Sequence, residues 1–180
     1  MRKLANNELD RKTITDFKAA KKTPLVIVLD NVRSALNVGS VFRTADAFLI
    51  EKIILCGITA QPPNKDIRKS ALGATDSVEW TYYEKTTDAI EDLKRQGYTV
   101  LAIEQADESV YLDAYSINPT HSYAVIFGHE VKGVSTEAFE MTDSCLEIPQ
   151  YGTKHSLNIA VSVGVVVWDL FVKLTKNRLL

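Results

Sequence analysis

The stretch Pro24–Asp30, PLVIVLD, is apolar without a break from Leu25 to Leu29. A strand with one wet face alternates apolar and polar residues, whereas a strand covered on both faces does not have to. PLVIVLD therefore predicts a buried strand of the kind found in parallel sheets between helices. The same reading extends outward. KIILC, YTVLAIE, YAVIFG and SCLEIP are further short apolar runs, and VEWTYY has the β-branched and aromatic content of a strand. Helical patterns lie between them: VGSVFRTADAF behind Asn37 as N-cap, a short helix through RKSAL, TTDAIEDLKRQG with a Thr cap and Gly97 as its stop, and STEAFEM behind Ser135. Leu157–Val172 supplies a final helix. Upstream, residues 4–20 read as a helix with Leu4, Leu9, Ile14 and Phe17 as a sparse stripe, stopped by Pro24. The fold class expected is α/β, a mainly parallel sheet flanked by helices. No repeat or Gly/Ser-rich linker divides the chain, so the expected organisation is a helical arm over residues 1–23 and one domain over 24–180.

Composition narrows the function classes. Net charge over the 180 residues is −2, which as a whole gives no sign of nucleic-acid binding. The sign is uneven, however. Up to Lys22 there are seven basic residues (Arg2, Lys3, Arg11, Lys12, Lys18, Lys21, Lys22) against three acids, which leaves +4 there and −6 on the remainder. Such an arm can contact phosphates, or it can be a solvated helix. Cys56 and Cys145 are far apart and have no metal-ligand spacing, so no metal is expected and both read as buried free thiols of a reducing compartment. No signal peptide opens the sequence. The longest apolar run is interrupted by Asn158, Ser162 and Asp169, so no membrane span is expected and a cytoplasmic location is.

In parallel α/β sheets ligands bind at the carboxyl ends of strands, so the loops after VIVLD, VIFG and LEIP carry the search. After VIVLD, Gly39 and Arg43 share a helical face, where a bare Gly could admit a ligand and Arg could grip its phosphate. After VIFG, FGHEVKGVS has GxxxxG spacing but lacks the Lys-Ser/Thr pair, and Glu130 would repel a triphosphate, which excludes a P-loop ATPase. No GxGxxG follows a strand, which removes the dinucleotide fingerprint. After LEIP, the helix opens on five polar residues, Thr153, Lys154, His155, Ser156 and Asn158. Ser156 or Asn158 could cap that helix, but capping needs one such residue.

NVGSVFRTA, FGHEVKGVS and IPQYGTKHSLNIAVSVG together resemble, in order and spacing, the three signature motifs of the SpoU (TrmH-like) branch of the SPOUT RNA methyltransferases. The family pattern is N-x-G-x-x-x-R, then G-x-E-x-x-G-x-S, then I-P-x-x-G-x-x-x-S-L-N, and every position is filled. RKSALGATDSVEW is similar to the segment where that family carries Ala-Gly-Ala or Leu-Gly-Ala. Gln150 departs from the Met common after Ile-Pro.

The resemblance implies transfer of a methyl group from S-adenosylmethionine to a ribose 2′-hydroxyl of tRNA or rRNA; a catalytically silent RNA-binding protein of the same fold is the alternative. It implies a C-terminal deep trefoil knot, a homodimer with sites shared between subunits, and a cofactor held in the knot by Gly128, Ile148, Gln150, Ser156 and Leu157. By motif position the catalytic group would be Arg43, Asn37, Glu130, Ser156 and Asn158, with Arg43 as general base or as holder of the substrate phosphate. RNA contacts would fall to Arg43, to Lys65, Arg68 and Lys69, and to Arg2, Lys3, Arg11 and Lys12 of the arm.

Overall fold

In a computed structural model, which describes residues 1–5 and 8–175, PLVIVLD is the core of β1 (Thr23–Asp30) in a seven-stranded sheet. The other strands are β2 (Ile50–Cys56), β3 (Trp80–Tyr83), β4 (Tyr98–Ile103), β5 (Val110–Tyr111), β6 (Ser122–Phe127) and β7 (Ser144–Glu147). Their order is β3-β2-β1-β6-β4-β7-β5, and every pairing is parallel. The helices are α1 (Ile14–Ala19), α2 (Ala35–Ala47), α3 (Lys65–Ala71), α4 (Ala74–Ser77), α5 (Thr86–Arg95), α6 (Thr136–Phe139) and α7 (Ile159–Thr175).

Continuous apolarity in β1 follows from its two neighbouring layers. Successive strand side chains point to opposite faces. Leu25, Ile27 and Leu29 join the larger core with Phe42 of α2 and Val163 and Val167 of α7. Val26 and Val28 join the second core with Ile90 and Leu93 of α5. Each fully buried Leu or Ile in such a position contributes about 2 kcal/mol. Asp30 ends the run as a buried carboxylate with its lone pairs engaged: it accepts from Thr86 Oγ1 (2.5 Å), Asn31 Nδ2 (2.7 Å) and the Ser135 N–H (2.7 Å). One acid thus fastens the end of β1 to the start of α5 and to the loop after β6.

Several local expectations change. The helix expected over residues 4–20 takes in Asn6 and Asn7, which lie outside the described residues, as do residues 176–180 of the expected 24–180 domain. Within the described part, only Ile14–Ala19 is helical, opened by a capping box between Thr13 and Asp16. Phe17 is the sole buried residue of α1, while Leu4 and Ile14 stay exposed, so no apolar seam exists to hold a longer helix. Asn37 does not cap α2; Ser34 does, accepting from the Asn37 N–H at 3.3 Å. Thr86 is spent on Asp30 and α5 starts from Lys85 without a side-chain cap. Ser135 precedes α6 without making a side-chain cap bond. Gly39 admits a protein backbone, not a ligand: a Cβ there would lie 2.2 Å from Ser70 Oγ and 2.4 Å from the Ile67 carbonyl oxygen. It is the contact that lets α3 pack closely on α2.

Candidate active site

Because β4 lies between β6 and β7, the carboxyl ends of these three strands are neighbours. Their loops wall a cleft of about 550 Å³, within the usual size for a small-molecule site. Gly128, Glu130, Ile148, Gln150, Ser156, Leu157 and Asn158 all line it. The sequence separates these residues by up to thirty positions, and the fold gathers them around one space.

The loop after β6 is rigid by construction. His129 and Gly133 exchange two backbone N–H···O bonds of 2.9 Å. His129 Nδ1 accepts from the Val131 N–H at 3.0 Å. A Cβ on Gly128 would lie 2.0 Å from the Gly133 carbonyl carbon, and Gly133 itself has φ +70°, so both glycines are demanded by the turn. The turn aims Glu130 at the start of α2. There its carboxylate accepts from the Arg33 and Ser34 N–H groups (both 3.0 Å) and from Asn37 Nδ2 (3.3 Å). Burial pushes the Glu130 carboxyl upward, but these N–H donors outweigh it and hold it below the ordinary carboxylate range.

Asn37 continues the network, since its Oδ1 accepts from Asn158 Nδ2 at 3.4 Å. Asn158 also caps α7, its Oδ1 accepting the Ala160 N–H at 2.9 Å. Glu130, Asn37 and Asn158 therefore link all three motifs through side chains. Asn37 does not line the cleft, and it reaches the site through this chain of bonds. Ser156 lies exposed on the cleft wall within the segment Tyr151–Asn158, every residue of which is exposed.

Arg43 is placed elsewhere. It is exposed on α2 and lines a separate depression of about 570 Å³ with Arg11, Lys12, Asp46 and Leu72, and a shallower one with Lys69 and Ser70. Lys65, Arg68 and Lys69 surround a further hollow beside Pro63 and Asn64. Arg2 is paired with Glu8 through bonds of 2.6 and 2.8 Å, and Lys3 is exposed. Lys22 folds onto the ring of Phe17, 3.9 Å from its centroid, and donates to the Phe17 carbonyl.

Sequence reasoning passed over Glu104, Gln105, Glu147 and His129, all of which line the cleft. Glu104 stands at the end of β4. Hydropathy does not mark that loop as part of a site, because it carries no strand order and so does not put β4 beside β6 and β7. A second feature is an apolar stripe on α7: Val161, Val165, Trp168 and Val172 are exposed, Trp168 by 56%. It borders a hollow of about 590 Å³ with Ile148 and Pro149, adjoining the cleft. Both cysteines are buried free thiols, and burial pushes the Cys56 thiol up to about 12, which makes it inert. Among the described residues no helix is long and apolar enough to cross a membrane, and no group of three or more His, Cys, Asp or Glu side chains is arranged to hold a metal ion.

Comparison with known proteins adds to this geometry. The family model described as the SpoU rRNA Methylase family matches residues 24–168. The chain is 30% identical over 144 residues to the 23S rRNA (guanosine-2′-O-)-methyltransferase RlmB of Neisseria meningitidis, covering 80% of this chain and 56% of that protein. It is 29% identical over 182 residues to the tRNA (guanosine(18)-2′-O)-methyltransferase of Borreliella burgdorferi, covering 93% of this chain and 79% of that one. Among solved structures, an AdoMet-bound rRNA methyltransferase from Sinorhizobium meliloti superposes with a TM-score of 0.77 at 26% identity, over 91% of this chain and 60% of the other. The chain thus spans less than two thirds of the length of the first curated relatives it matches.

Proposed function

We infer the activity from one premise: the chain belongs to the SpoU rRNA methylase family. On that premise it is an S-adenosylmethionine-dependent methyltransferase that modifies a ribose 2′-hydroxyl of tRNA or rRNA. The observation that carries this reading is the convergence of the second and third motifs on one cleft, with Glu130 and Asn158 bonded through Asn37 to the first.

The cleft suits the cofactor. Its volume fits a nucleoside with an amino-acid tail, and its walls combine the backbone of Gly128, Ile148 and Leu157 with the side chains of Gln150 and Ser156. When bound there, S-adenosylmethionine supplies a methyl group activated by its sulfonium. The remaining work belongs to the protein. Attack by a ribose hydroxyl forms an O–CH3 bond as the S–CH3 bond breaks with its electron pair left on sulfur, and the hydroxyl proton passes to solvent water, so negative charge grows on the oxygen as that proton departs. A guanidinium is ordinarily protonated and is better suited to hold the neighbouring phosphate and stabilise that oxygen than to take the proton. Arg43 has that role in this reading. Glu130, Asn37 and Asn158 fix the start of α2 at Ala35, and the same helix carries Arg43.

Arg43 and the cleft are on different parts of one chain, and a homodimer resolves this. The α7 stripe and the exposed Tyr151–Asn158 segment adjoin the cleft, and a partner packed there would bring its Arg43 to this cleft. Such a dimer would also bury Trp168 and Val165, which a monomer leaves in water. The packing of α7 on α2 and β1, with the segment before it lining the same cleft as the loop after β6, supports a knotted C-terminal segment. Residues 1–23 serve as an RNA-binding arm: Arg11 and Lys12 share with Arg43 a depression that Asp10, Asp46 and Asp76 also line, and Lys69 stands with Arg43 at the neighbouring one. Free buried thiols suit the cytoplasm.

Incubation with S-adenosylmethionine labelled in the methyl group and total RNA tests the activity. Label that enters RNA and is released by ribonuclease supports it. Cofactor binding without any transfer would point to a silent RNA-binding protein, and label in protein would point to a different acceptor.

A further inference from the structure

We propose that Glu104 is the residue that reads the ribose of the methyl donor, by accepting hydrogen bonds from its 2′- and 3′-hydroxyls. The inference rests on the methyltransferase reading of the cleft. Glu104 lines that cleft from the end of β4, opposite the third-motif loop, and no motif of the sequence includes it. Its carboxylate is fixed from the protein side. Oε1 accepts the Gln105 N–H at 3.0 Å and Oε2 accepts the Val134 N–H at 3.1 Å. Gly133 packs over it so closely that a Cβ there would lie 2.1 Å from Oε2.

An ionised carboxylate has about four acceptor sites, two on each oxygen. One site on each oxygen of Glu104 is taken by a backbone N–H. One remains on each, side by side. That pair of acceptors is complementary to two hydroxyls on adjacent carbons, the arrangement of a nucleoside cis-diol, and a carboxylate reads the ribose of dinucleotides in the same chemical way. No Lys or Arg lies within ion-pair distance of Glu104 among the described residues, so its free lone pairs are not already claimed by a cation. Of the cleft's carboxylates, Glu104 is the one whose two oxygens each take a single donor, a backbone N–H; Glu147 has only one oxygen fixed. Glu130 takes three donors at the start of α2, and Glu147 accepts from Ser109 Oγ at 2.7 Å.

Calorimetric titration of the full chain with S-adenosylhomocysteine and with its 2′-deoxy and 3′-deoxy counterparts tests this. In the wild type each missing hydroxyl is expected to weaken binding at least about tenfold, the loss of a hydrogen bond to a charged group. In Glu104→Gln, parent binding weakens by a similar factor, and at least one of the two deoxy ligands binds within about twofold of the parent. Should Glu104→Gln not fold, Glu104→Asp, which withdraws the carboxylate by one methylene, is expected to show the same levelling. Equal affinity of all three ligands in the wild type overturns the inference while leaving the methyltransferase reading intact. So does an undiminished hydroxyl effect in the folded variant. No binding of any of the three overturns the cofactor assignment and this inference with it.

Discussion

Replacing Glu130 by Ala removes the acceptor for two backbone N–H groups and one side-chain amide at the start of α2. The N–H of the N-cap, Ser34, is among those a helix cannot satisfy internally and that of Arg33 lies one residue before it; Glu130 serves both from a loop almost a hundred residues away. Losing a capping acceptor of this kind costs about 1–2 kcal/mol, the carboxylate's interaction with the helix dipole included. For a chain of this size that lowers the unfolding midpoint by about 3–6 °C. The pH dependence follows from the direction of the shift. Glu130 is held below the ordinary carboxyl value of 4.5, so the folded state binds its proton less readily than the unfolded state. The contribution is complete above that ordinary value and is lost as pH falls through the lower, folded one. Urea unfolding of wild type and Glu130→Ala at pH 7 and at successively lower pH below 4.5 measures it. The two curves should differ at pH 7 and approach one another in acid. Equal stability at pH 7, or a gap that persists unchanged in acid, would refute the capping account.

Other predictions concern function. Arg43→Ala should lower methyl transfer at least about a hundredfold while calorimetry finds cofactor affinity unchanged, because Arg43 is assigned to the substrate phosphate and oxygen and not to the cofactor; near-normal turnover rules its role out. Arg11→Gln with Lys12→Gln, which spares the buried Phe17, should weaken RNA binding and reduce the slope of log K against log salt by about 1.5, whereas an unchanged slope removes these residues from the phosphate contacts. Val165→Asp should leave the chain folded by circular dichroism but shift its sedimentation from dimer to monomer and abolish turnover, since a carboxylate would be buried in the apolar stripe on association. A wild type that sediments as a monomer refutes the proposed dimer, and a variant that sediments as a dimer refutes the α7 stripe as its contact.

The sheet was legible because burial on both faces leaves a mark in the sequence: Leu25–Leu29 has no polar member. The cleft was legible through the loops after β6 and β7, where glycines and polar residues stand beside continuous apolar runs. Strand order leaves no such mark. Nothing in YTVLAIE says that its neighbours are β6 and β7, so Glu104 could not be placed beside Gly133. Capping was misassigned for a related reason. Thr86 and Asn37 have the chemistry of N-caps, but each is drawn to a distant carboxylate, Asp30 and Glu130 respectively, and local preference yields to that contact. Gly39 was read as room for a ligand because sequence cannot show that α3 occupies that room. The described residues of the arm are mostly outside an α-helix because, among them up to Lys22, only Phe17 is buried in the core.

The most direct measurement is mass spectrometric mapping of modified nucleosides in tRNA and rRNA from cells with and without this protein. The account predicts that one 2′-O-methylated nucleoside disappears with the protein and returns when the wild-type chain, but not Arg43→Ala, is restored. A full set of 2′-O-methyl marks in its absence, or the loss of a base-methylated nucleoside instead, would contradict it.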